Sequence, residues 1–531
     1  MGKDKIRKLP IGVQDFEKLR SEGFLYVDKT EYIYQLVKTG STYFLSRPRR
    51  FGKSLLLSTM RAYFEGKREL FKGLKLEELE GDGDDAWIEY PVFYFDFNKD
   101  NYLREGALED VLASHLASWE EIYGDKYSQG SLAARFQHLI EMAVKQTGRN
   151  AVVLVDEYDK PLLETMASEE LEEHNKAVFK GFFSTLKSYD HYLKFVFLTG
   201  VTKFSKVSIF SDLNQLRDIS INRDYTNICG ISEEEIRQCL MPEVETMAYD
   251  QEIDVGECFG RLKQMYDGYR FHWRSEGVYN PLSLLSALAD REFDNYWFST
   301  GTPTFLVNKI LSENYELSRF TDGTLYAKEA SLRDYRVDDT DPVPLLFQTG
   351  YLTIKGYDRK YRSYELGYPN DEVKYSFIES LAKQQLSKNS VSEPLDIRSF
   401  CSDIENGAPE ALENRFRAVF SRLPYTTDER PLEQNFQNVI YIVLMLMGQY
   451  VHTEVHSAKG RADCIVETDD YIYIFEFKRD GSAEEALNQI ETRGYALHYA
   501  ADKRKLFKIG VNFDSEKRTI TEWRVEALHP D

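Results

Sequence analysis

Four short apolar runs punctuate the first two hundred residues: TYFLS (42–46), PVFYFDF (91–97), AVVLV (151–155) and KFVFL (194–198). Each is rich in β-branched or aromatic residues, and helical stretches separate them. Buried strands alternating with helices predict a parallel, doubly wound α/β sheet covered on both faces. In such sheets ligands collect beyond the carboxyl ends of the strands. Here those ends carry Ser46 and the loop after it, Asp96, Asp156-Glu157 and Thr199-Gly200. Polar groups therefore converge on one edge of the expected sheet.

The first strand runs into FLSRPRRFGKSLLLS (44–58), where Gly52-Lys53-Ser54 opens an apolar, helix-like run. Strand, loop, Gly-Lys-Ser and helix are the setting of a phosphate-binding loop. Backbone amides at the helix start would cradle phosphates, Lys53 would reach the β- and γ-phosphates, and Ser54 would bind magnesium. Arg47 stands where the pattern G-x-x-x-x-G-K-[ST] has its first glycine. It lacks glycine's freedom at positive φ, so the loop must bend differently. Arg49 and Arg50 add positive charge that either assists phosphate binding or faces solvent. Asp156 would hold magnesium with Ser54, and Glu157 would polarise an attacking water. Thr199 either orients that water or caps its own turn. Arg217 and Arg223 read as arginine fingers or as structural ion-pair partners.

From about residue 230 the pattern becomes mainly helical. ISEEEIRQCL (231–240) carries a capping box, with Ser232 as the cap and Glu235 at the third position. YDGYRF (266–271) and VYNPLSLLSAL (278–288) read as a turn and a helix. PVPLLFQTGYLTI (342–354) reads as a helix passing through a glycine turn into a strand. Asn406-Gly407-Ala408-Pro409 marks a linker, so the expected divisions are 1–229, 230–405 and 406–531.

In the last division, GRADCIVETDDYIYIFEFKRDG (460–481) reads as two strands joined at Asp469-Asp470. A two-residue turn there places Asp463 directly opposite Glu476, with Cβ atoms about 5 Å apart. Lys478 shares the face of Glu476, while Tyr471, Tyr473, Phe475 and Phe477 take the other. Two carboxylates at that spacing suit Mg2+ or Mn2+. An amine beside them suits the charge of phosphodiester hydrolysis. A surface hairpin with a charge cluster is the plainer alternative, but charges inside IYIFEFK would be costly without a use. Glu433, at the start of the preceding apolar helix, and Gln489, on the helix that follows, are additional candidates. The histidines 452, 456 and 498 show no metal-ligand spacing.

Charge bears on the ligand. The chain of 531 residues has a formal net charge of −21, which argues against non-specific coating of DNA. Residues 401–531 hold 16 basic and 23 acidic residues, a balance of −7. Nucleic-acid binding must then rest on a local basic patch or on bound metal. The five cysteines stand singly, without C-x-x-C spacing, so neither a zinc site nor a disulfide frame is expected and a cytoplasmic location fits. The longest apolar run, VIYIVLMLMG (439–448), is too short to cross a bilayer, and no membrane partner is expected.

These motifs together resemble a bacterial family that joins an AAA-ATPase-like domain to a PD-(D/E)XK nuclease domain. The resemblance is carried by LPIGVQDFEKLR, YVDKTEYI, SRPRRFGKSLLLS, VVLVDEYDKPL and FLTGVTKFSKVSIFSDLNQL, then by YDGYRF and VYNPLSLLSAL, and finally by GRADCIVETDDYIYIFEFK with ALNQI. It implies a P-loop NTPase domain, a mostly helical middle region and a C-terminal α/β nuclease-like domain. It further implies ATP binding at Lys53, Ser54, Asp156 and Glu157, and cleavage by Asp463, Glu476 and Lys478, with Glu433 and Gln489 as additions. Ala462 replaces the signature's proline and leaves Asp463 intact. The implied function is a metal-dependent nuclease acting on nucleic acid, expected to be DNA. Nucleotide state would gate it by moving the nuclease domain or assembling homo-oligomers, in phage defence or mobile-element biology. The alternative is a nucleotide-dependent switch or scaffold that binds nucleic acid or protein without cutting. A translocating motor ranks last, for want of further helicase motifs.

Overall fold

The computed structural model describes residues 7–83, 85–166, 168–203, 216–297, 306–307, 310, 315, 317–320, 325–333, 341–386, 396–421, 432–448, 451–455, 463–517 and 519–528; the side chains of 385–386, 432–437 and 452–455 are not described. The chain forms two compact units, Met1–Ser299 with Ala327–Tyr364, and Thr300–Tyr326 with Glu365–Asp531.

The first unit is built on β1 (Thr42–Ser46), β2 (Val92–Asp96), β3 (Ala151–Asp156), β4 (Leu193–Gly200) and the two-residue β5 (Arg217–Asp218). Their order is β2-β3-β4-β1-β5 and every pairing is parallel. All four predicted runs are therefore strands of one parallel sheet. β3 is buried along its whole length, as a central strand covered on both faces must be.

The high aromatic content fills the space between sheet and helices. Phe95 on β2 meets Trp119, Phe136 and Phe182, which come from three different helices. Phe195 on β4 instead meets Phe64, on the helix Lys53–Phe64 that follows the glycine-lysine-serine loop. Aromatic pairs of this kind add about 0.5–1.5 kcal/mol each beyond burial.

The capping box of Ser232 and Glu235 is formed. The helices Glu233–Cys239, Met241–Asp250, Val255–Tyr266 and Pro281–Asp290 share an apolar core around Leu240, Val244, Tyr266 and Leu284. The helix Val343–Thr349 ends at Gly350, whose φ of 91° is open to glycine, and the chain continues into β7 (Thr353–Asp358). With β6 (Tyr326–Lys328) and β8 (Ser363–Gly367) it makes a small sheet of order β6-β8-β7.

In the second unit the sheet order is β13-β12-β11-β10-β9. Its strands are β9 (His452–Val455), β10 (Cys464–Glu467), β11 (Tyr471–Arg479), β12 (Lys505–Asp514) and β13 (Thr519–Leu528). Only β11 and β12 pair in parallel, joined through the helix Ala483–Arg493. Tyr473 and Phe475 face a core shared with Phe400, Leu412, Phe416 and Leu444. Ile472 and Ile474 face Leu487 and Ile490 of the helix Ala483–Arg493.

One sequence expectation is corrected here. Asn406-Gly407-Ala408-Pro409 is a tight turn between the helices Ile397–Glu405 and Pro409–Ser421, both of which feed the same core. Gly407, at φ 68°, sits against Tyr471, where a Cβ would come within 2.6 Å of the ring. Gly and Pro punctuate a short helix–helix connection as readily as a linker. Among the described residues no helix is long and apolar enough to cross a membrane.

Candidate functional sites

The loop after β1 is held in shape without its usual first glycine. Arg47 is 1% exposed, and its guanidinium donates to the carbonyls of Ser46 (2.9 Å), Ser220 (2.8 Å) and Tyr225 (2.9 Å). It also lies over the Phe271 ring at 3.7 Å. Burial pulls its pKa down to about 10, the cost of enclosing a cation with neutral partners. Arg47 thus turns inward, and the bend falls later, with Arg50 at φ 67° and Gly52 at φ 90°. The Arg49 carbonyl accepts bonds from Trp297 (3.1 Å) and Asn280 (3.5 Å). Arg49, Arg50 and Gly52 are exposed, and Ser54 is half-buried.

Lys53 begins the helix, with its ammonium donating to the carbonyls of Arg47 (3.0 Å) and Pro48 (3.1 Å). At the end of β3, Asp156 accepts from the hydroxyls of Thr199 (2.8 Å) and Tyr94 (3.3 Å). Thr199 therefore orients the carboxylate beside it. Glu157 follows at φ 50°, a sparsely populated conformation for a side-chain-bearing residue. Burial raises its carboxyl pKa, an effect opposed by Lys53 and Arg49 and reinforced by Asp156 and Asp159. These groups thus occupy one electrostatic neighbourhood. Arg217 and Arg223 are both exposed.

Sequence reasoning missed Asp159. It is 1% exposed and accepts the N–H groups of Val201 and Thr202 and the Thr202 hydroxyl. A Cβ on Gly200 would stand 2.5 Å from its carboxylate. The sole hint was a second aspartate three residues after Asp156, in DEYDKPL.

In the other unit the hairpin has the register predicted from its turn. Cys464 pairs with Phe475 and Glu467 with Ile472, and the Thr468 N–H donates to the Tyr471 carbonyl at 2.9 Å. Asp463 lies just ahead of β10, and its carboxylate accepts the Phe477 N–H at 2.9 Å. Glu476 is 1% exposed. Its Oε1 accepts from Lys478 at 3.1 Å, while its Oε2 is buried without a hydrogen-bond partner. Burial foremost, and then the charge of Asp463, push its pKa up to about 7, against the opposing effect of Lys478. Burial also raises that of Asp463. Two buried carboxyls, both penalised by burial and one also by its neighbour's charge and left with an unfilled acceptor, fit a divalent cation, which would relieve those penalties.

Gln489 completes the arrangement, its Oε1 accepting from Lys478 at 2.5 Å. The helix that carries it begins in a capping box of Ser482 and Glu485. Tyr495 adds a phenol beside Gln489, its pKa raised by burial. Glu433 falls in the helix Leu432–Met447, but its side chain lies outside the described residues, as do Ala462 and His456. Among the described residues no cluster of three His, Cys, Asp or Glu forms; Asp463 and Glu476 are the carboxylates described at this site.

Residues 10–210 match a family described as predicted AAA-ATPase, and residues 432–523 match the PD-(D/E)XK nuclease superfamily. The chain is 36% identical over 534 residues to an uncharacterized protein in the vnfD 5′ region of Azotobacter chroococcum mcd 1, covering 98% of this chain and 99% of that one.

Proposed function

Since the chain belongs to the family that couples a predicted AAA-ATPase to a PD-(D/E)XK nuclease-superfamily domain, we propose that it binds and hydrolyses ATP and cleaves phosphodiester bonds in nucleic acid, with nucleotide state gating the cut. The observation that carries the nuclease half is the chain of short contacts through Glu476, Lys478 and Gln489, with the Asp463 carboxylate held on the Phe477 N–H beside them.

In this reading Asp463 and Glu476 hold Mg2+ or Mn2+. Such a cation would supply positive charge to the scissile phosphate and lower the pKa of water at the site. Water oxygen bonds to phosphorus as the bond to the leaving oxygen breaks, the water's proton passing to solvent and the leaving oxygen taking one up from solvent. Lys478 stabilises the charge that gathers on the phosphate oxygens. Gln489 fixes the position of that ammonium. Glu476 gives up its proton as the site loads, because a carboxyl titrating near 7 cannot serve as a full ligand while protonated.

At the nucleotide site, Lys53 exchanges its bonds to the loop carbonyls for phosphate oxygens. Arg50, Gly52 and Ser54 are the neighbouring loop contacts, and Ser54 and Asp156 hold the accompanying Mg2+. Thr199 keeps Asp156 in place, and Glu157 orients the attacking water. Incubating the purified protein with DNA and RNA, with and without Mn2+ and ATP, tests both halves. Metal-dependent fragments that vanish in Glu476→Gln support the nuclease. Binding of nucleic acid without any fragments would leave the non-cutting switch.

A further inference from the structure

An acidic protein that handles nucleic acid needs a local positive surface, and the first unit carries one on residues that supply none of the phosphate-loop or carboxylate groups named above. Between residues 353 and 364 the chain has four basic residues, Lys355, Arg359, Lys360 and Arg362, against one acid, Asp358, within a protein of net charge −21. Asp358 is occupied locally, its Oδ1 accepting the N–H groups of Lys360 (2.8 Å) and Tyr361 (3.0 Å). These bonds, with Arg362 at φ 51°, shape the tip between β7 and β8. Arg359, Lys360, Tyr361 and Arg362 are all exposed there, Tyr361 at 66%.

A second segment reinforces the tip. The Trp273 ring stacks on Tyr357 at 5.2 Å and 17°. The Arg274 guanidinium lies over Trp273 at 4.4 Å and that of Arg359 at 5.3 Å. Arginines resting on aromatic faces are pre-ordered, with their N–H edges left for an acceptor. Among the described residues, none of Arg274, Arg359, Lys360 and Arg362 forms an ion pair with a carboxylate. The positive potential registers on His272, whose pKa is lowered first by burial and then by Arg223 and Arg274.

We propose that the β7–β8 tip and the adjoining Trp273 stack form a docking surface for single-stranded nucleic acid. Arg274, Arg359, Lys360 and Arg362 take backbone phosphates, and Tyr361, with the Lys360 ammonium over one face of its ring at 4.9 Å, offers the opposite face to an unpaired base. The exposed ring decides between ligands: an acidic peptide would use the cations alone, and a paired base is not free to stack. The choice of nucleic acid rests on the nuclease reading, but the docking itself needs neither metal nor cleavage.

The test is fluorescence polarisation of a labelled oligo-dT, about 20 nucleotides long so as to exceed a typical single-strand site, with the full chain in EDTA. The double variant Arg359→Glu/Arg362→Glu is expected to bind at least about tenfold more weakly, with a log–log salt slope shallower by roughly 1.4, since each lost phosphate contact removes about 0.7. Tyr361→Ala is expected to weaken binding several-fold and Tyr361→Phe to preserve it. An unchanged thermal melt separates these losses from unfolding, and the milder Arg359→Gln/Arg362→Gln serves if the reversal does not fold. Wild-type affinity in the charge variants, no binding by the wild type, or polyglutamate binding as tightly as oligo-dT each overturns the proposal. Patch-dependent binding without any metal-dependent cleavage would keep the docking surface and remove the nuclease. Cleavage with patch-independent binding would do the reverse.

Discussion

Gly510 stands opposite Glu476 in the parallel pairing of β11 and β12, and a Cβ there would lie 2.2 Å from the Ala483 carbonyl. The helix Ala483–Arg493 can therefore lie close on the sheet, which brings Gln489 to Lys478.

Gly510→Ala should push that helix outward. We expect a stability loss of about 1–3 kcal/mol, as for other overpacked sites, and a fall in metal-dependent cleavage larger than the loss of fold. Urea denaturation and a cleavage assay on the same sample separate the two. Full activity with unchanged stability would mean the close approach has no consequence.

Arg47→Ala should destabilise the first unit by roughly 2–4 kcal/mol, because three carbonyls lose their donor inside the protein. ATP affinity should fall with it, since the same residue shapes the loop. Arg47→Lys should not rescue either quantity, as an ammonium cannot reproduce the fork. Calorimetry of ATP binding together with thermal melts checks both.

At the nucleotide site, binding and hydrolysis should separate. Lys53→Ala is expected to cut ATP affinity by about tenfold or more, in line with loss of a charged phosphate contact. Glu157→Gln is expected to retain binding and lose about a hundredfold or more in turnover, the usual scale for a lost general base. Equal turnover in Glu157→Gln and wild type would remove that residue from the mechanism.

Glu476 predicts a pH dependence of stability. Its carboxyl titrates at about 7 when folded and near 4.3 in an unfolded chain. Between those values the folded state holds a proton that the unfolded state has released, so metal-free stability should decline as pH rises from about 4.3 through 7. The decline is at most on the order of 4 kcal/mol, at about 1.4 kcal/mol per pKa unit. Glu476→Gln should flatten this slope, and Mn2+ should offset it at pH 8. Chemical denaturation between pH 5 and 8 would reveal either behaviour.

What could be read from the sequence was what depends on near neighbours. The strands β1 to β4 were legible because buried parallel strands are continuous apolar runs. The register of β10 against β11 was legible because a two-residue turn fixes every pair after it. Contacts across long separations were not. Arg47 finds its partners at Ser220, Tyr225 and Phe271, and no local pattern announces that an arginine in a basic loop turns inward. Asp159 looked like one more acid in an acidic stretch. Gly510 matters only because of a helix that begins 27 residues earlier, at Ala483. The turn at Asn406–Pro409 was misread because helix–helix connections and linkers use the same residues.

The most direct measurement is manganese-dependent cleavage of DNA and RNA by the wild type, Asp463→Asn, Glu476→Gln and Lys478→Met, with manganese binding followed by calorimetry. The account predicts cleavage and metal binding by the wild type, loss of both in the two carboxylate variants, and loss of cleavage with metal binding retained in Lys478→Met. Cleavage that survives in Glu476→Gln, or a wild type that neither binds manganese nor cuts, would contradict it.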